Sequence, residues 1–315
     1  MEFGISTHWN AKRHADGAAM IDEVLEMGFR RVELGYDLYR YHTEGVAKRV
    51  EEGAVIVDSV HNFCPVPPEA QRGHPEIYTL GALDWRIHEA AIINTTETIR
   101  YAASVGAKLV VMHCGNVFMP NMTSKLIKMC QQGNRFTNAY ERTKLKMLLR
   151  REKKVGQHLD SLYRGLERLA PVCAEYNVRL AIEILPTWES IPSEPEIKPI
   201  IDRIGKEHVC YWHDIGHAQI RENLGLSNHR QALFDAADYL GGFHIHDVKP
   251  PAQDHCMPPK GMIEFPAFKE VAERDVLRIL EPRSNVTPDE IQRGLTIIRD
   301  SWMDSTDDDE TDQPL

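Results

Sequence analysis

The feature that most narrows what this chain can fold into is a recurrence of eight short apolar or β-branched runs, most of them followed by a stretch with helical periodicity. The runs predict strands over Glu2–Ser6, Arg31–Gly35, Ala54–His61, Lys108–His113, Arg179–Glu183, His208–Asp214, Gly242–His246 and Val276–Glu281. Several are apolar on both faces, as in Leu109-Val110-Val111-Met112, which fits strands covered by helices in a parallel sheet. Amphipathic spacing predicts helices over Gly17–Met27 and Thr43–Glu52, and a long one over Asp84–Ser104. A last helix starts at Thr287, which can cap it and close a capping box with Glu290, while Pro288 occupies the first turn. Strands alternating with helices imply α/β architecture, and eight of them favour a closed (β/α)8 TIM barrel over an open sheet.

A chain of 315 residues suits one such barrel, expected over residues 1–302 with no second domain or repeat. Residues 118–157 depart from the alternation and predict a helical insertion between the fourth strand and its helix. Its charged run from Glu141 to Lys154 reads as a solvated face, with a lid or a basic element for an anionic ligand as the functional alternative. The net charge of −10 is uneven, because six acidic residues and no basic one follow Trp302. Residues 303–315 are therefore expected to form a flexible acidic tail. The opening Met1-Glu2-Phe3-Gly4-Ile5-Ser6 reads as a strand, not a signal peptide, and no apolar run approaches membrane-spanning length. Six scattered cysteines without a C-x-x-C pair fit reduced thiols, so a cytoplasmic protein is expected and a zinc-thiolate cluster is not.

Chemistry enters through position. His61, His113, Glu183, Asp214, His244 and Glu281 stand at the carboxyl ends of predicted strands, which a parallel barrel gathers on one face. Glu183 and Glu281 could not approach closely without a cation or a shared proton. Carboxylates with imidazoles and no thiolate suit a divalent ion, with manganese expected and zinc, magnesium or cobalt as alternatives.

Three segments occur in order: Leu180-Ala181-Ile182-Glu183, Trp212-His213-Asp214-Ile215-Gly216-His217-Ala218 and Phe243-His244-Ile245-His246-Asp247. Together with Asp254-His255-Cys256-Met257-Pro258-Pro259-Lys260-Gly261 and Leu280-Glu281-Pro282-Arg283, they resemble the xylose-isomerase-like barrel superfamily of sugar isomerases, epimerases and endonuclease IV. The sugar branch implies one metal on Glu183, Asp214, His244 and Glu281, with His217 and Arg283 positioning a small sugar or sugar derivative. His61, His113 and His255 are further candidates for substrate binding, and His246 and Asp247 for orienting the ligands. The implied reaction is proton abstraction beside a carbonyl through a metal-stabilised enediolate, with Glu183 and Glu281 as base and acid. The same carbanion chemistry could drive β-elimination from a keto-sugar.

The endonuclease IV branch implies instead a three-zinc site for abasic-site cleavage, with His61, His113, His217 and His255 as added ligands. That family carries an aspartate two positions before the histidine matched by His255, where this chain has Gln253; its G-E-G element is replaced by Lys260-Gly261-Met262. The sugar reading is preferred and a nucleic-acid partner is not expected. A barrel retained as a scaffold for a second copy or a partner subunit is the non-enzymatic alternative. His8, Trp9, Phe63 and Trp188 could wall a sugar face or pack in the core. Cys114 and Cys256 adjoin site histidines but are not expected to be nucleophiles.

Overall fold

All eight apolar runs form strands, and their period of two decides the architecture. The structure, a computed structural model, describes residues 1–303, so the acidic stretch after Met303 lies outside the described residues. The chain runs β1 (Gly4–Ser6), α1 (Gly17–Glu26), β2 (Arg31–Leu34), α2 (Arg40–Glu51), β3 (Ile56–His61), α3 (Trp85–Ser104) and β4 (Leu109–Met112). Then come α4 (Thr123–Gln131), α5 (Asn138–Glu152), α6 (Val155–Tyr176), β5 (Arg179–Glu183), α7 (Glu194–Ile204), β6 (Val209–Asp214), α8 (Ile215–Asn223) and α9 (His229–Ala236). The last part holds β7 (Leu240–Ile245), a hairpin of β8 (Asp247–Lys249) and β9 (Gln253–Cys256), α10 (Lys269–Ala272), β10 (Leu277–Leu280) and α11 (Pro288–Trp302).

The strands pair in parallel in the order β1, β10, β7, β6, β5, β4, β3, β2, and β2 returns to β1, closing a (β/α)8 barrel. Side chains at alternate positions fill the lumen: Leu109, Val111, Ala181, Cys210, Trp212 and Ile279 pack together there. Their neighbours Val110, Ile182, Tyr211, Phe243 and Leu280 point outward and join the helix faces in the main core. Gly242 makes the lumen possible beside Trp212, since a Cβ at that position would lie 2.3 Å from the indole Cζ3.

The expected capping box of the last helix is present, with Thr287 Oγ1 accepting from Glu290 N and Glu290 accepting from Thr287 N. The insertion holds α4 and α5, and most of α5 faces solvent, as a charged run with little apolar content must. Its anchors are specific. Arg151 is buried and pairs bidentately with Glu196 at 2.7 Å while donating to Ser190 O. Glu189, from the loop after β5, accepts from the backbone N–H of Thr123 and from its hydroxyl at the start of α4. The inserted helices thus brace the loop after β5. The hairpin β8–β9 was not expected from the alternation; its three- and four-residue strands carry too little pattern to be read. Among the described residues, no helix is long and apolar enough to cross a membrane.

Candidate metal centre

The lumen pattern continued by one step builds the site. Ala181, Trp212 and Ile279 point inward, so Glu183, Asp214 and Glu281, two residues further on, point inward at the carboxyl end of the barrel. His244 is paired in register with both Asp214 and Ile279, which sets it between these strands. All four side chains are buried.

The His244 ring shows how the centre is organised. Its Nε2 lies 2.9 Å from Glu33 Oε1, and Ser59 Oγ donates to the other Glu33 oxygen at 2.7 Å. Its Nδ1 faces Glu183 Oε1 at 3.4 Å, Glu281 Oε2 at 3.3 Å and Asp214 Oδ2 at 3.9 Å. A carboxylate behind one ring nitrogen and three in front of the other is the arrangement that orients a ligating imidazole. Glu33 was missed in the sequence. Its signal was a carboxylate between the two apolar residues Val32 and Leu34 of β2, at a position two before the loop.

Glu183 has a different neighbourhood at each oxygen. Oε1 faces His244 and, at 3.3 Å, His217 Nδ1; Oε2 faces His113 Nε2 at 3.1 Å and His61 Nε2 at 3.4 Å. Asp214 is the N-cap of α8, accepting from His217 N at 2.7 Å, and its carboxylate also meets His246 Nε2 at 3.0 Å. His246 reaches this place because Gly216 carries no Cβ, which would lie 1.9 Å from the imidazole Cε1. His255 stacks on His246 at 4.0 Å between ring centres and holds Glu281 O through Nδ1 at 3.0 Å. Donor atoms of several triads converge within 4.8 Å: Glu183, Asp214 and His244; Glu33, His244 and Glu281; Asp214, His246 and Glu281; His61, His113 and Glu183; His217, His246 and His255.

The electrostatics of these groups fit a cation. Burial works against the charge on Glu183, but His244, His113 and His217 outweigh it and hold the carboxyl well below its ordinary range. Asp214 and Glu281 are likewise lowered against burial, by His217 and His246 and by His244 and His255. Conversely, burial opposes the charge on His217, yet Asp214 and Glu183 push its imidazole up to about 9. His244 is held well above its ordinary value against burial by Glu281, Glu33 and Glu183. Without an ion the carboxylates are balanced by protonated imidazoles. A divalent ion would take the place of those protons, and the donor set, all carboxylate and imidazole, fits one. His113 Nδ1, buried and without a hydrogen-bond partner among the described residues, shows that they do not satisfy every polar group here.

A cavity of about 470 Å³ opens beside the cluster and touches it through His113 and His217. Tyr36, His74, Glu76, Asn116, Asn121 and Thr187 complete much of its polar lining, which among the described residues holds no lysine or arginine. The inserted helices therefore bring no cation into it. A second cavity, of about 510 Å³, lies at the opposite end of the barrel around Arg31, Asp58 and Arg278, away from the carboxylates.

Other expected site residues are placed elsewhere. Arg283 is half-exposed, ion-paired with Asp254, and absent from the cavity lining. The Asp247 carboxylate accepts from the backbone N–H of Val248, Gly261 and Ile263 and so shapes the loop after the hairpin, while its backbone oxygen lies 3.4 Å from His246 Nδ1. Trp9 and Phe63 are buried in packing, and the Trp188 ring lies 5.8 and 5.2 Å from the guanidiniums of Arg151 and Arg221. The aromatic wall of the cavity is Tyr36 instead. Cys114 is buried, and its thiol is raised by that burial and by Glu183.

A closed parallel barrel with buried carboxylates and imidazoles at the carboxyl ends of its strands defines a class, the TIM barrels that carry a polar centre at that face. The chain belongs to the xylose isomerase-like TIM barrel family, whose model matches residues 21–300. It is 22% identical to an uncharacterised protein of Methanocaldococcus jannaschii over 253 residues, 79% of this chain and 78% of that one. Its fold is similar to that of the 3-keto-D-glucoside 4-epimerase of E. coli, with a TM-score of 0.64 and 17% identity over 96% of this chain and 97% of that one. It is similar also to that of the D-psicose 3-epimerase of Clostridium cellulolyticum H10, with a TM-score of 0.66 and 15% identity over 96% and 99%. At these identities the likeness is one of fold.

Proposed function

We propose that the protein is a divalent-metal-dependent isomerase or epimerase acting on a small sugar or sugar derivative, with manganese the expected ion. The observation that carries this reading is the approach of Glu183 and Glu281, from strands β5 and the end of β10, to the same edge of His244 at 3.4 and 3.3 Å. Two carboxylates flanking one point can remove a proton from a carbon and return one to it, on either face or at the neighbouring carbon. Glu183, Asp214, His244 and Glu281 would hold the ion, which when bound supplies positive charge for oxygens beside the reacting carbon. His217, at the junction of cluster and cavity, would donate to or accept from a substrate oxygen, and the polar cavity lining suits hydroxyl groups. The sugar activities named for the similarly folded epimerases agree with this reading.

One observation favours a second reading. The two oxygens of Glu183 face separate imidazole pairs, as a carboxylate shared between ions does, and a centre of several zinc ions suits phosphodiester hydrolysis beside an abasic site. Two measurements on the metal-loaded chain separate the readings. The isomerase reading expects exchange of a substrate C–H with solvent deuterium in a panel of free ketoses and keto-sugars, lost in Glu183→Gln and Glu281→Gln. No exchange across the panel, together with cleavage of abasic duplex DNA, would refute it in favour of the second.

A further inference from the structure

Next to the cluster, and unused by it, a buried carboxylate reaches the cavity through two side chains. Asp37 Oδ2 lies 3.0 Å from His8 Nδ1, and His8 Nε2 lies 3.2 Å from the Tyr36 hydroxyl. Asp37 is buried, and its Oδ1 has no hydrogen-bond partner among the described residues. The His8 and Tyr36 rings pack at 4.7 Å between centres, and the Tyr36 ring meets the edge of His61 at 5.1 Å. Of the three, only Tyr36 lines the cavity.

The order of donors follows from what each group can do. An ionised carboxylate only accepts, so it selects the His8 tautomer with the proton on Nδ1. When that is the ring's only proton, Nε2 is an acceptor and the Tyr36 O–H donates to it. The phenol has no second proton, so towards the cavity its oxygen can only accept. We infer that Tyr36 is a specificity-determining residue that accepts a hydrogen bond from a substrate hydroxyl, with His8 and Asp37 as positioning residues that set its polarity. The inference rests on the sugar reading of the site, and it narrows the substrate to one that presents a hydroxyl at the Tyr36 wall.

The test uses the full chain loaded with manganese, with D-fructose and D-tagatose as probes, and needs two readouts. In kinetics by solvent exchange, Tyr36→Phe is expected to raise KM about 3- to 10-fold, the worth of one neutral hydrogen bond, with kcat within about twofold and manganese affinity unchanged. In ¹⁵N NMR of the imidazoles at pH 8.5, with diamagnetic magnesium in place of manganese, His8 is expected as the Nδ1–H tautomer, and Asp37→Asn is expected to release it towards Nε2–H. A merely structural tie would leave KM alone. An unchanged KM in Tyr36→Phe, or a wild-type His8 protonated on Nε2, overturns the inference while leaving the function standing. Wild-type protein that exchanges neither sugar, nor any other in the panel, overturns the function and this inference with it. Because Tyr36→Phe removes a single atom, a folding failure is not expected, and Asp37→Asn gives an independent variant read by the same two assays.

Discussion

Glu33→Gln perturbs the centre without removing any residue that would touch the ion. Glutamine keeps the volume and one acceptor for His244 Nε2, 2.9 Å away, but it loses the charge that orients and polarises that ring. Loss of such a supporting carboxylate lowers metal affinity by about 10- to 100-fold, or roughly 1.4–2.8 kcal/mol. That range agrees with the roughly 1.5–3 kcal/mol of a hydrogen bond to a charged group, so the effect should not exceed it. Ser59→Ala removes the 2.7 Å bond that holds the far oxygen of Glu33 and should cost less, about 2- to 10-fold. The assay is competition with a chelator of known affinity for manganese and for zinc, with the visible spectrum of the cobalt-loaded protein reporting coordination. The thermal transition of the metal-free variants checks that they fold. Affinity within twofold of wild type in a folded Glu33→Gln would refute the assignment of His244 Nδ1 as the ligand atom.

Metal uptake should also depend on pH. His217 stands at about 9 without an ion, and its positive charge beside Glu183 and Asp214 opposes a cation, so affinity should rise with pH up to about 9, with proton release seen by calorimetry in two buffers. The sign for folding is opposite: the raised imidazole stabilises the metal-free fold fully below about 6.5, and this is lost as pH rises through about 9. A metal-free melting temperature that climbs over that window would contradict the assignment. Gly242→Ala would press a methyl group 2.3 Å from Trp212 and 2.9 Å from Leu277 Cβ, costing about 1–3 kcal/mol; melting should fall by several degrees. Arg151→Met leaves Ser190 O without its donor and Glu196 without its bidentate partner. Hydrogen exchange should quicken in the loop after β5 and in α4 but not in the strands, and Arg151→Lys should not restore it because one ammonium cannot make both bonds.

The fold was legible because a parallel barrel imposes a strong pattern. Both faces of each strand are buried, so Leu109–Met112 reads as a strand with no help from its neighbours. The clustering of Glu183, Asp214, His244 and Glu281 was legible for a related reason, since strand ends share one face and alternate residues share one side. What escaped lies off that rule. Glu33 sits within its strand and meets the candidate ligand His244 through a bond to a residue 211 positions away. Tyr36 follows β2 in a loop, where no periodicity points a side chain, and nothing local reveals that Arg283, a substrate contact by resemblance, pairs with Asp254. The charged run of α5 was legible as a solvated face, but the one arginine in it that anchors the loop, Arg151, was not distinguishable from its neighbours.

Whether the centre takes one ion or several turns on Glu183. If a single ion sits among Glu183, Asp214, His244 and Glu281, the two glutamates are alternatives of equal standing. Glu183→Gln and Glu281→Gln should then each weaken the same site by similar factors. If Glu183 is shared, its Oε2 serves the pair His61 and His113 while Oε1 serves His244 and His217. Glu183→Gln should then lower the number of bound ions by more than one, whereas Glu281→Gln affects one alone. His61→Asn discriminates further, because it removes a donor that only the shared arrangement uses. Metal counted in exhaustively dialysed protein decides the matter, and equal counts in wild type, His61→Asn and Glu281→Gln would sink the shared-carboxylate reading. The geometry has a direct consequence for the chemistry. A glutamate tied to ions through both oxygens is held as the anion by two cations and becomes a poor base, so a multinuclear centre would leave Glu281 as the better base of the pair.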